Sequence, residues 1–152
     1  MIFYYLDSSA WVKRYYEEPG AAFVQRLFAE NSFFACASLG LIEVMATLAR
    51  KGKALGSSQS TIEQQSRALH EDWQFFIKVQ FTSDVIDRAT RSAKQLTLRG
   101  VDAIHLASAL ELQQRIADPA DELIFVTSDS ELLQAAQVSG LIVIDPMRPP
   151  AS

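Results

Sequence analysis

Short apolar runs alternate with longer amphipathic segments along the whole chain, and this alternation narrows the possible folds more than any other feature. The runs are Ile2 to Leu6, Phe33 to Ala37, Val79 to Phe81, Leu123 to Val126 and Leu141 to Ile144. Each is too short for a helix, and all but Val79 to Phe81, which contains Gln80, are apolar on consecutive residues, which predicts strands buried on both faces. Between them, apolar residues recur at helical spacing. Helices are expected over Trp11 to Tyr15, then with Pro19 in a first turn and Phe23, Val24, Leu27 and Phe28 inward, then over Leu39 to Lys51 closed by Gly52. After the turn Gly56-Ser57-Ser58, a long helix carries Ile62, Leu69, Trp73 and Phe76 on one stripe, with Ser60 and Glu63 at capping-box spacing. Ser83 to Leu98, Asp102 to Arg115 after a break at Gly100, and Asp129 to Val138 complete the set. Strand–helix alternation of this kind predicts an α/β fold with a mostly parallel sheet. A length of 152 residues suits one domain, expected over 1–146, with 147–152 as a frayed C-terminal tail.

Composition removes several functional classes. No apolar run approaches the ~18 residues of a membrane span. The opening Met1 to Asp7 has no basic region and reaches a charge too early for a signal peptide. The single cysteine, Cys36, forms no internal disulfide and suits a reducing cytosol, so a cytoplasmic location is expected. Two histidines and one cysteine are too few for a typical zinc site. The net charge of −4 argues against binding nucleic acid by bulk positive charge. It leaves room for an enzyme that meets nucleic acid through metal ions held by carboxylates.

Open parallel sheets place their reactive groups beyond the carboxyl ends of the strands. Of the 18 Asp and Glu residues, four lie in apolar company or at strand ends. Asp7 ends the first strand, Glu43 sits within Leu39 to Ala46, Asp102 opens an apolar helix, and Asp129 follows the fourth strand by way of Thr127-Ser128. Asp7 and Asp129 also suit helix caps, with Ser128 and Glu131 a competing capping box, and Asp102 suits a positive helix end. Glu43 is mid-helix, where capping fails and an unpaired carboxylate is costly. All-oxygen ligands favour Mg²⁺ or Mn²⁺ over zinc. Acids holding such ions are a common device for cutting phosphodiesters.

Four passages, in order, resemble the PIN-domain family, and within it the VapC-type toxins of toxin–antitoxin modules. They are Tyr5-Leu6-Asp7-Ser8-Ser9-Ala10 with Glu17-Glu18-Pro19-Gly20; Leu41-Ile42-Glu43-Val44; Arg99 to Ala109 around Asp102; and Phe125-Val126-Thr127-Ser128-Asp129. The resemblance runs from residue 2 to about 145. It implies a three-layer α/β/α sandwich around a mostly parallel sheet of about five strands. It also implies an Mg²⁺- or Mn²⁺-dependent endoribonuclease, with Asp7, Glu43, Asp102 and Asp129 as catalytic and metal-binding acids. The implied partners are an RNA substrate, a cognate antitoxin and a second copy of the chain in a homodimer.

Weaker signals have two readings each. Ser9 orients Asp7 or meets a phosphate, or else only caps. Thr127 and Ser128 support carboxylates or are plain loop polarity. His105 shares a helix face with Asp102 and reads as a hydrogen-bonded structural histidine ahead of a general base. His70 reads as surface and Cys36 as core. Lys13-Arg14, Arg50-Lys51-Lys53 and the Arg88-to-Arg99 group are solvated faces or phosphate contacts. Trp11, Tyr15 and Tyr16 pack in the core or on a partner. Two other functions compete: a non-catalytic PIN-like adaptor, and a phospho-accepting receiver-type module. The receiver reading wants paired acids after the first strand, where Asp7 stands alone.

Overall fold

The computed structural model describes residues 1–151. Its strands are β1 (Ile2–Leu6), β2 (Phe33–Ala37), β3 (Ile77–Val79), β4 (Glu122–Val126) and β5 (Ile142–Ile144). The helices are α1 (Ser8–Trp11), α2 (Ala21–Ala29), α3 (Leu39–Leu55), α4 (Gln59–Trp73), α5 (Ser83–Leu96), α6 (Gly100–Arg115) and α7 (Ser130–Val138), with one 3₁₀ turn over Val12–Arg14. The strands pair in the order β3-β2-β1-β4-β5, all parallel. Strand side chains alternate between faces, so the sheet builds two cores. On one face Tyr5 and Phe125 pack with Val85, Ala89, Leu106 and Leu132 from α5, α6 and α7. On the other, Leu6, Ile124 and Val126 pack with Trp11, Val24, Val44, Leu48 and Leu69 from α1 to α4. This is the expected three-layer α/β/α sandwich.

The strand order changes direction between β1 and β4, the two strands that lead to Asp7 and Asp129. A crevice at such a switch point is where parallel α/β sheets bind ligands. Receiver-type sheets run 2-1-3-4-5, so this strand order argues against that reading.

Local placements differ from expectation at several points. The third strand is Ile77–Val79 rather than Val79 to Phe81, because Ala35, Cys36 and Ala37 pair with Ile77, Lys78 and Val79. Phe81 lies beyond the ladder, 57% exposed. The α4 cap is Ser58, whose hydroxyl accepts the Thr61 N–H at 3.1 Å; Ser60 falls inside the first turn. Helix α3 continues through Gly52 to Leu55, and Gly56 closes it. A Cβ at residue 52 would stand 3.1 Å from Ile62 Cγ1, so Gly52 serves the close approach of α3 and α4 instead of ending a helix. Helix α5 ends at left-handed Thr97 (φ 54°), and Gly100 begins α6 instead of separating the two. Helix α2 begins at Ala21, after Pro19 and Gly20. Pro146 is buried against Gly20, and Ser152, the last residue of the expected tail, lies outside the described residues. Among the described residues no helix is long and apolar enough to cross a membrane.

Candidate active site

The carboxyl end of β1 delivers Asp7, and the chain turns there because Asp7 caps α1, accepting the Ala10 N–H on Oδ1 at 2.9 Å. Ser9 donates to the same carboxylate, at 2.8 Å from Oδ1 and 2.9 Å from Oδ2. From the end of β4, Thr127 donates to Oδ2 at 2.7 Å. Thr127 Oγ1 also accepts the Asp129 N–H at 3.1 Å, and Ser9 Oγ accepts the Ser128 N–H at 3.0 Å. The two strand ends are thus knitted into one unit with Asp7 at its centre, 3% exposed. Burial holds the Asp7 carboxyl above the usual range, while His105 and the hydrogen bonds from Thr127, Ser9 and Ala10 oppose that rise.

Asp129 caps α7, accepting the Leu132 N–H on Oδ1 at 2.9 Å, so the competing cap at Ser128 is not used. Ser128 Oγ is buried without a hydrogen-bond partner among the described residues. Asp102 is not a cap: Arg99 holds the N-cap position of α6 and Asp102 lies in the first turn. Its carboxyl is raised by burial first, then by the like charges of Asp129 and Asp7, against the pull of His105 and Arg99. These couplings place Asp7, Asp102 and Asp129 in one electrostatic neighbourhood.

Glu43 reaches the site from α3 by another route. Its Oε2 accepts from Ser8 Oγ at 3.2 Å, and its Oε1 lies 2.5 Å from His105 Nε2. On the far side of the ring, His105 Nδ1 lies 2.9 Å from Tyr5 Oη, which accepts the Ala37 N–H at 3.0 Å. Burial acts to lower the His105 pKa, but Tyr5, Cys36 and the Glu43 carboxylate outweigh it and carry it well above the ordinary value. Tyr5 is the site residue that sequence reasoning missed. The available signal was a phenol on a fully buried strand, where its hydroxyl needs a partner.

Other side chains turn out to be structural. Lys13 is buried in an ion pair with Glu18 at 3.0 Å, Lys51 meets the other Glu18 oxygen at 3.0 Å, and Arg14 pairs with Asp72. Lys13 and Arg14 are therefore engaged away from any phosphate. Trp11 is fully buried, its ring 4.4 Å from Phe76 and 5.5 Å from Trp73, which places it in the core and not on a partner.

The donor set suits a hard cation: three aspartates at the positive ends of helices and a glutamate from within α3, all oxygen. Among the described residues no three metal-binding side chains are already drawn into one cage. Mg²⁺ seldom needs such a cage, since it is typically held by one or two carboxylates with water and phosphate completing its shell. The residues fit the group.

A parallel α/β/α sandwich with carboxylates at its β1/β4 switch point describes a recognisable class. Residues 4–138 match the PIN domain, and the chain belongs to the PIN-domain family, of the VapC type. It is similar to ribonuclease VapC45 of Mycobacterium tuberculosis, at 30% identity over 136 residues covering 90% of each chain. Among solved structures, PAE2754 from Pyrobaculum aerophilum superposes with a TM-score of 0.67 at 22% identity, over 93% of this chain and 83% of that one. A toxin–antitoxin complex from Klebsiella pneumoniae superposes with a TM-score of 0.62 at 18% identity, over 93% and 96%.

Proposed function

We propose that this protein is a metal-dependent endoribonuclease, the toxin of a toxin–antitoxin pair, working through Mg²⁺ or Mn²⁺. The observation that carries the reading is the hydrogen-bonded knot of Asp7, Ser9, Thr127 and Asp129 at the switch point, with Asp102 feeling the charge of both aspartates, in a chain 30% identical to a ribonuclease. Asp7, Glu43, Asp102 and Asp129 are the catalytic and metal-holding acids in this reading. Ser9 and Thr127 fix the Asp7 carboxylate, so that its remaining lone pair points one way. Asp102 and Asp129 supply charge not otherwise neutralised, and Glu43 offers an oxygen to a water at the edge of the cluster. A bound divalent ion supplies water activation and charge relief at the attacking and leaving oxygens. The working unit is residues 1–146, with 147–152 as a tail, in a cytoplasmic homodimer silenced by an antitoxin protein.

The test is RNA cleavage by purified protein. Cleavage is expected with Mg²⁺ or Mn²⁺ and is expected to stop with EDTA. Full cleavage in a verified metal-free sample overturns the metal reading. No cleavage of any RNA, with metal present and antitoxin absent, favours a PIN-like adaptor instead.

A further inference from the structure

We propose that His105 is a positioning residue for Glu43, holding that carboxylate at the site through a buried chain anchored on Tyr5. The inference rests on the reading of Glu43 as a working acid. The chain starts in the sheet. The Ala37 N–H at the end of β2 meets Tyr5 Oη of β1 at 3.0 Å, Tyr5 Oη meets His105 Nδ1 at 2.9 Å, and His105 Nε2 meets Glu43 Oε1 at 2.5 Å. Tyr5 is 0% and His105 1% exposed, whereas the Glu43 side chain is 26% exposed. The polar chain therefore runs from the rigid interior to a single accessible end, and that end is a carboxylate.

The ring has no freedom to turn. Both nitrogens are engaged, and Tyr5 stands edge-on to it at 5.9 Å with an interplanar angle of 79°. Helix α3 closes the remaining side, where a Cβ at Gly40 would lie 3.7 Å from His105 Cε1. Glu43 follows Gly40 by one turn, so the stretch of α3 that packs on the ring also carries the carboxylate. An apolar side chain would fill this space without the cost of burying an imidazole. What the imidazole adds is a donor aimed at one oxygen of a flexible side chain. Ser8, next to Asp7, binds the other oxygen at 3.2 Å. The held carboxylate is thereby tied both to α6, which bears Asp102, and to the turn that bears Asp7.

The decisive variants are His105→Leu, which keeps bulk and removes the donor, and His105→Gln, which keeps a donor near Nε2. Two readouts are measured on each folded variant: kcat and KM for RNA cleavage, and Mn²⁺ affinity of metal-free protein by calorimetry. His105→Leu is expected to lose roughly 10- to 100-fold in kcat and in Mn²⁺ affinity, the range for removing a group that orients a metal-site ligand. KM for RNA is expected to stay nearly constant, and His105→Gln is expected to recover part of both losses. Folded His105→Leu with wild-type kcat and Mn²⁺ affinity overturns the proposal, as does a His105→Gln no better than His105→Leu. If His105→Leu does not fold, Tyr5→Phe takes its place, freeing the ring by removing one hydroxyl; unchanged kcat and Mn²⁺ affinity there overturn it equally. A further measurement separates this proposal from the function beneath it. In metal-free wild type, the imidazole Nε2 proton is expected far downfield in the NMR spectrum and to move upfield in Glu43→Gln. A wild type that neither binds Mn²⁺ nor cuts RNA removes the metal reading alone. In that case an Nε2 proton indifferent to Glu43→Gln also removes the positioning role, and a responsive one retains it.

Discussion

Asp102 shows how one carboxylate can be read apart from its neighbours. Asp7 and Asp129 are caps, so their positions have a structural explanation apart from any site role. Asp102 has no cap role to account for it, since Arg99 precedes α6 in that position. Its pKa is raised by burial and by the charges of Asp129 and Asp7. A carboxyl whose folded pKa lies above its unfolded one loses stability for the fold as pH rises through that interval. At neutral pH the ionised group is therefore a net burden on the metal-free protein. Asp102→Asn keeps the shape and removes the charge. Without metal, the variant is expected to melt at or above the wild-type temperature at pH 7. The difference should shrink as pH falls below the raised Asp102 range, where both side chains are neutral. RNA cleavage is expected to be lost, and the melting shift produced by Mn²⁺ should diminish, because stabilisation by a ligand scales with its affinity for the native state. Paired melting curves taken from acid to neutral pH check both signs. A variant less stable than wild type at pH 7, with cleavage intact, contradicts the assignment.

At the scale of elements, what was legible followed from periodicity, and what was not followed from contacts between elements. Strands β1, β2 and β4 read correctly because Ile2 to Leu6, Phe33 to Ala37 and Leu123 to Val126 are continuous apolar runs whose carboxyl-end residues are buried in the sheet. β3 was misplaced because Phe81 is apolar and exposed while Lys78 sits inside the ladder. Gly52 looked like a stop because a glycine that lets two helices touch cannot be told, in one sequence, from a glycine that ends one. The placement of Asp7 and Asp129 just past two strand ends was legible from the strand pattern, whereas the bond of Tyr5 was not, since its partner is 100 residues away. Two predictions belong here. Ser58→Ala should cost about 1 kcal/mol, as a lost N-cap, while Ser60→Ala should stay within about 0.5 kcal/mol. Urea unfolding of the two checks which serine starts α4. The second concerns α3 on β2, where a Cβ at Gly40 would stand 2.3 Å from Cys36 Sγ, closer than the atoms can sit. Gly40→Ala should cost about 1–3 kcal/mol by overpacking. Adding Cys36→Ala removes the sulfur and should restore much of the loss, leaving Cys36 Cβ at 3.7 Å as an ordinary contact. Losses that merely add in the double variant would place the strain elsewhere.

Across the whole molecule, the fold gathers negative charge at the place where the proposed function would have a polyanion cut. The net charge is −4; Asp7 and Asp129 stand at the two strand ends of the switch point, and Asp102 feels the charge of both. Basic side chains do little to offset this in trans, because Lys13, Arg14, Lys51, Arg88 and Arg115 are already paired with Glu18, Asp72 and Glu111. Of the cations considered as phosphate contacts, Arg99 is exposed at the start of the helix that bears Asp102, and Arg50 is exposed two turns beyond Glu43 on α3. RNA held by few lysines and arginines should depend only weakly on salt, since each phosphate neutralised on a single strand contributes a slope of about −0.7 in log K against log salt. Two arginines give about −1.4. Single-stranded RNA binding to Asp102→Asn in EDTA, titrated from low to moderate NaCl, is therefore expected to be weak with a slope between about −1 and −2. Arg99→Ala should flatten it by nearly one phosphate's worth, and Lys13→Ala should leave it unchanged while lowering stability, because Lys13 is committed to Glu18. A slope steeper than about −4 would reveal a broad basic face. It would also mean that RNA is recruited by the protein's own cations, with the metal left only the chemistry.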